Sequence, residues 1–170
     1  YGRPRVAGIR SSFCVHTAAN DEYCQNCDNV ISIAAAIERS SEHPVAHAIV
    51  AAAKKRQGVG HVQTAEDVTA HPGKGVSGQL SGNKHIVVGT GDLFNPQMEG
   101  WNDISAYAET ARNNGETVMF VAENNKVIGY IGVQDEVRVD SREALQQLTD
   151  MQIYKVMLTG DHNLAAQRVA

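Results

Sequence analysis

Apolar residues recur at helical spacing from Asn29 to Arg39, with Val30, Ile33, Ala34 and Ile37 on one face. That spacing predicts an amphipathic helix. Ser40-Ser41-Glu42-His43 interrupts it. Pro44 suits the first turn of a second helix, because its missing N–H would be unpaired there in any case. The second helix is expected to run from Pro44 to about Lys55 and to end near Gly58, completing a helical hairpin. Strand-like segments come next. Asp67 to Ala70, Val76 to Leu80 and His85 to Val88 read as short strands, with Ser81-Gly82-Asn83 as a hairpin turn between the last two. A helix over Asp103 to about Arg112 is stopped by Asn113-Asn114-Gly115. Val118 to Ala122 and Val127 to Val133 then pair around Glu123-Asn124-Asn125-Lys126. The fold class this predicts is α+β, an antiparallel sheet with helices packed on it.

The pattern changes after Val133. Ser141 to Leu148 reads as a helix and Ile153 to Leu158 as a short apolar strand. Thr159-Gly160-Asp161 comes after it as a loop, and a further helix starts near Asn163. Helix, strand, loop, helix is the order of a parallel α/β fold. A domain boundary is therefore expected between Val133 and Val137. Both ends look abrupt, which points to a piece of a larger protein.

Composition narrows the class. Of 170 residues, 42% are apolar, enough for a real core, and the net charge is −4. A mildly acidic chain lacks the basic footprint of a nucleic-acid partner. No stretch approaches the roughly 20 apolar residues that span a bilayer, and the basic N-terminus has no apolar run behind it. By itself the chain reads as soluble and cytosolic. The three cysteines, Cys14, Cys24 and Cys27, are an odd count, which fits a reducing compartment better than a disulfide framework.

Four clusters carry candidate chemistry. Glu38 with Ser41-Glu42-His43-Pro44 spans the turn of the helical hairpin. That turn can aim Glu38 and His43 into one pocket, where an imidazole stacks on a purine and a carboxylate accepts from an adenine amino group. The plainer reading makes His43 a helix-boundary residue satisfied by backbone. Pro72-Gly73-Lys74-Gly75-Val76 and Val88-Gly89-Thr90-Gly91-Asp92 each let backbone approach a ligand, or are simple turns. The first is not a Walker loop, because no Lys-Ser or Lys-Thr follows at the required spacing. Thr159-Gly160-Asp161 after a strand can hold a phosphoryl oxygen, or can cap the next helix.

Together, in this order and over nearly the whole chain, the clusters resemble the heavy-metal-transporting P-type ATPases. Ser41-Glu42-His43-Pro44 matches that family's histidine-proline motif, with Glu38 at its acidic partner's position. Gly73-Lys74-Gly75 matches its glycine loop, and Val88-Gly89-Thr90 its later glycine position, where Thr90 replaces the usual Asn. Met157 to Asp161 matches the phosphorylation domain's threonine-glycine-aspartate loop. Asp135 to Arg138 resembles the segment that re-enters that domain, and Gly2 to Val6 resembles the stretch immediately after the phosphorylation motif.

The resemblance implies a nucleotide-binding domain over residues 6–133, a partial haloacid-dehalogenase-like phosphorylation domain over 134–170, and a remnant over 1–5. ATP would bind at Glu38, Glu42, His43, Gly73, Gly75, Val76, Gly89 and Thr90. Thr159, Gly160 and Asp161 would contact the transferring phosphoryl group. The aspartate that accepts it and the main Mg²⁺ ligands of the intact pump match no residue here, so this piece is expected to bind ATP without turning it over. Its partners would be the remaining phosphorylation, actuator and membrane domains of the same pump, placing it as a cytoplasmic domain of an integral membrane protein. For the cargo, overall resemblance leans to a divalent soft metal such as Zn²⁺ or Cd²⁺, with Cu⁺ next.

Two other readings stand beside this one. A stand-alone phosphatase of the haloacid dehalogenase type shares the Thr159-Gly160-Asp161 region, but no Asp-x-Asp or Asp-x-Thr nucleophile motif lies upstream. Cys14, His16, Cys24 and Cys27 offer four ligands suited to tetrahedral Zn²⁺, or are reduced thiols in a loop.

Overall fold

The computed structural model describes residues 3–14, 24–56, 64–136 and 139–156. Its centre is a six-stranded, wholly antiparallel sheet in the order β1-β6-β5-β4-β3-β2. The strands are β1 (Arg3–Ser11), β2 (Glu66–His71), β3 (Gly75–Leu80), β4 (Lys84–Gly89), β5 (Thr117–Glu123) and β6 (Lys126–Glu136). The helices are α1 (Gln25–Glu38), α2 (Pro44–Lys55), α3 (Trp101–Asn113) and α4 (Val139–Asp150).

The expected hairpin of helices is α1 and α2, and the five expected sheet strands are β2 to β6. Asn124 and Asn125 both have positive φ, the backbone of the tight two-residue turn that joins twisted antiparallel strands. Between β3 and β4 the three-residue turn Ser81-Gly82-Asn83 has positive φ at Gly82 and Asn83. Alternation along β5 sends Met119 and Val121 to one face, and Val118, Phe120 and Ala122 to the other. The first face packs on α1 and α2 through Ile31, Ile37 and Ile49; the second packs on α3 through Ile104, Ala108 and Ala111. The sheet is thus covered on both faces. On the α3 face the Trp101 and Phe120 rings stack with centroids 4.8 Å apart.

A bulge keeps both faces apolar along β6. Val121 pairs with Gly129 but Ala122 pairs with Val127, so Ile128 has no partner in the register. The extra residue reverses the alternation. Val127 and Tyr130 therefore share the α3 face, while Ile128 and Ile131 share the helical-hairpin face.

Two features depart from expectation. Residues 3–11 form strand β1, antiparallel to β6, with Arg3 paired to Glu136 and Ser11 to Gly129. Residues 3–5, expected as a remnant, are hydrogen-bonded into the sheet edge, and β6 runs three residues beyond Val133. Second, the expected strand from Ile153 does not form across residues 153–156. Among the described residues no strand lies beside it to complete a ladder, and Tyr154 and Val156 are exposed. The Val137 boundary region and the helix expected from Asn163 lie outside the described residues. No helix among the described residues is long and apolar enough to cross a membrane.

Candidate functional site

A cleft of about 660 Å³ opens between the elbow of the helical hairpin and the β2–β3 end of the sheet. Its apolar walls come from Ile37, Val45, Val76 and Met119, and its polar groups from Glu38, Glu42, His43, His71, Lys74 and Thr90. Seven of the eight expected nucleotide-site residues line it: Glu38, Glu42, His43, Gly73, Gly75, Val76 and Thr90. They come from three separate stretches of chain.

The elbow positions its groups through local hydrogen bonds. Glu38 ends α1 and its carbonyl accepts from the Ser41 N–H at 2.9 Å. Burial pushes the Glu38 carboxyl up to about 7, and a hydrogen bond from the Ser41 side chain pulls it partly back. The Ser41 hydroxyl also accepts from the His43 N–H at 3.3 Å. His43 is the N-cap of α2, and its Nδ1 accepts from the Val45 N–H at 3.3 Å. A neutral ring with Nδ1 so engaged carries its proton on Nε2 and has that N–H to donate. His43 is thus a boundary residue bonded to backbone that also lines the cleft.

The opposite wall is the β2–β3 turn. Lys74 N–H donates to the His71 carbonyl at 2.9 Å across Pro72 and Gly73, whose φ is +71°. Proline followed by a positive-φ glycine is the sequence a type II turn needs. A Cβ on Gly73 would meet nothing within 4 Å, so this position is open to solvent and ligand. Gly75 is different. A Cβ there would stand 2.1 Å from the Val88 carbonyl oxygen and 2.5 Å from the Gly89 Cα. Gly75 and Gly89 face each other across β3 and β4.

Gly89 accordingly does not reach the cleft. A Cβ on it would strike the Lys74 carbonyl at 2.3 Å, so it serves strand-on-strand approach rather than a ligand wall. Just beyond it, the Thr90 N–H donates to the same carbonyl at 2.7 Å. The Thr90 hydroxyl is buried and has no hydrogen-bond partner among the described residues. His71, missed in the sequence, lines the cleft with Nε2 bonded to Ser77 Oγ at 2.8 Å. Its position just before Pro72-Gly73 was the available signal.

Thr159, Gly160 and Asp161 lie outside the described residues, as does His16. Cys14, Cys24 and Cys27 do come together, with their sulfurs all within 4.8 Å of one another. None is in a disulfide. Burial pushes the Cys27 thiol up to about 12.

A family model described as haloacid dehalogenase-like hydrolase matches residues 9–170. The chain belongs to that family. Within it, the chain matches part of the catalytic region of heavy-metal P-type ATPases. It is 38% identical over 143 residues to the copper-exporting P-type ATPase B of Archaeoglobus fulgidus, covering 84% of this chain and 20% of that protein. It is similar to a zinc-transporting PIB-type ATPase in its E2.Pi state, with a TM-score of 0.72 at 26% identity, over 98% of this chain and 25% of that one. The N-domain of HMA6, a copper-transporting P-type ATPase, matches with a TM-score of 0.55 at 25% identity, over 79% of this chain and 99% of that domain. This haloacid dehalogenase-like chain spans about a fifth of the length of the curated relatives it matches.

Proposed function

We propose that this chain is the ATP-binding part of a heavy-metal cation-transporting P-type ATPase, holding ATP so that its γ-phosphoryl group passes to an aspartate of the pump and ADP leaves. The carrying observation is the single cleft that collects Glu38, His43, Gly73 and Thr90. Its volume falls in the ordinary range of small-molecule sites, about 300 to 1,000 Å³. Apolar side chains on both walls suit a flat heteroaromatic base. The Glu38 carboxyl accepts from the adenine amino group, and the His43 ring stacks on the base or donates from Nε2. The turn at Gly73 leaves room for ribose and phosphates, with Lys74 beside it to offset their charge.

In this reading the triphosphate projects toward Thr159, Gly160 and Asp161, which contact the transferring phosphoryl group. The domain division expected at Val133 to Val137, where β6 ends at Glu136, would carry the hinge that brings them together. Phosphoryl transfer needs Mg²⁺ to neutralise developing charge. Mg²⁺ takes hard oxygen ligands, and among the described residues the one cluster able to hold an ion is three thiols. That cluster does not fit it. Mg²⁺ would enter as the partner of the nucleotide's phosphates. Similarity to membrane pumps supports a position on the cytoplasmic side, where ATP is.

Titration of the 170-residue chain with ATP, measured by calorimetry, tests the reading. ATP is expected to bind, and His43→Gln to weaken it roughly tenfold, the effect of losing one well-placed polar contact of about 1.4 kcal/mol. Hydrolysis of a simple phosphomonoester by the chain alone would favour the phosphatase reading instead. No ATP binding, or unchanged affinity in His43→Gln, would refute the cleft assignment.

A further inference from the structure

We propose that Cys14, Cys24 and Cys27 form a binding site for one thiophilic cation of the Cu⁺ or Zn²⁺ kind, separate from the nucleotide cleft. The three sulfurs lie within 4.8 Å of one another, and Cys14 and Cys24 sulfurs are 3.6 Å apart. Sulfurs that share one cation at bonds of about 2.3 Å stand about 4 Å apart. Small side-chain rotations therefore bring all three onto one ion. Thiolates are soft ligands that select Cu⁺ and Zn²⁺ over hard cations.

The arrangement is held by contacts that do not involve the sulfurs as ligands. Cys14 comes after β1, and its N–H donates to the Ser11 carbonyl at 3.0 Å. Asn26 Nδ2 donates to the Phe13 carbonyl at 3.0 Å, which ties this loop to the start of α1. Cys24 is the N-cap of α1 and Cys27 lies in its first turn. Cys24 and Cys27 are buried while Cys14 is half-buried, so a cation has a route in past Cys14. His16 lies outside the described residues and plays no part in the assignment.

The site is remote from the cleft. α1 begins beside Cys24 and ends at Glu38, and its 14 residues span about 20 Å. None of the three cysteines lines the cleft. Metal binding here can thus be measured without reference to nucleotide, and its failure leaves the ATP reading untouched.

The test uses the 170-residue chain, reduced and kept from oxygen, in two arms. One arm titrates Cu⁺ and the other Zn²⁺, each buffered by a competing chelator. The expected result in at least one arm is one cation per chain, sulfur-to-metal charge-transfer absorption for Cu⁺, and three thiols protected from alkylation by mass spectrometry. Cys14→Ser, at the half-buried position, is expected to weaken binding at least tenfold while the urea midpoint stays near wild type. Thiol protection in the unmodified chain decides the matter even if Cys24→Ser or Cys27→Ser fails to fold. The proposal is overturned by less than stoichiometric metal in both arms, by equal affinity in Cys14→Ser, or by thiols that only pair as a disulfide and take up no metal.

Discussion

Replacing Glu38 by Gln tests whether a buried carboxyl in the cleft wall is held against its own ionisation. Glu38 is 5% exposed, and burial raises its carboxyl from 4.5 to about 7. Proton linkage sets the sign. Below the ordinary carboxylate value, both folded and unfolded chains are protonated, and Glu38 behaves like a neutral residue. Between 4.5 and about 7 the unfolded chain gives up its proton while the folded chain retains it, so stability falls as pH rises. Above that window the folded chain carries a buried charge, and the whole loss, about 3 kcal/mol, is in place. Gln keeps the shape and the capacity to bond Ser41 without ionising. Glu38→Gln is therefore expected to match wild type near about pH 4.5 and to exceed it by up to about 3 kcal/mol above neutrality. For a chain of this size that is a rise in Tm of roughly 10 °C. Urea unfolding of both chains across that range measures the gap directly. A gap that does not widen with pH would refute the claim that burial controls this carboxyl. ATP affinity should move the other way, because Gln presents a weaker acceptor to the adenine amino group.

Two further substitutions separate kinds of support. Gly75→Ala puts a Cβ 2.1 Å from the Val88 carbonyl, and the forced separation of β3 from β4 is expected to cost about 3 kcal/mol in urea unfolding. Gly73→Ala meets nothing, so only its left-handed φ of +71° opposes the change, at about 1 kcal/mol; equal costs at the two sites would contradict the glycine assignments. Asp28→Asn breaks the ion pair to Arg56, 3.1 Å long, that ties the start of α1 to the end of α2. Its side chains are 10% and 21% exposed, so the expected loss is about 2 kcal/mol, below that of a fully buried pair, and a loss under about 0.5 kcal/mol would show the pair to be idle.

The helical hairpin and five strands were legible because their apolar residues keep a clean period and their turns carry glycine, asparagine or proline. Strand β1 was not. Arg3, Pro4, Arg5, Gly8 and Arg10 leave only Val6 and Ile9 as long apolar positions. The open backbone edge of β6 recruits β1, and no local pattern reveals so distant a partner. Arg10 adds a charge to that stretch, yet it is 6% exposed and lies 3.7 Å over the Tyr107 ring of α3. In the cleft, the elbow residues were legible because few residues separate Glu38 from His43. The glycines were legible as positions but not as roles. Gly75 and Gly89 read as ligand approach, yet the backbone they admit is each other's strand. Of these three glycines only Gly73 faces open space.

Thr90 separates a cleft built for a ligand from one that is merely a gap. Its hydroxyl is buried beside the cleft and no group among the described residues bonds it. A hydroxyl in that condition costs about 1 to 3 kcal/mol of desolvation that the empty protein does not recover. Valine has nearly the same shape and no polar atom to strand. If the hydroxyl exists to bond the nucleotide, Thr90→Val should raise the urea midpoint of the ligand-free chain and lower its affinity for ATP, each by an amount on the order of 1 kcal/mol. Opposite signs are the decisive feature, since a substitution that simply damages packing lowers both. A change that stabilises the chain and leaves ATP affinity intact would mean that Thr90 answers to no ligand, and that the cleft holds its nucleotide through the elbow and the Gly73 turn alone.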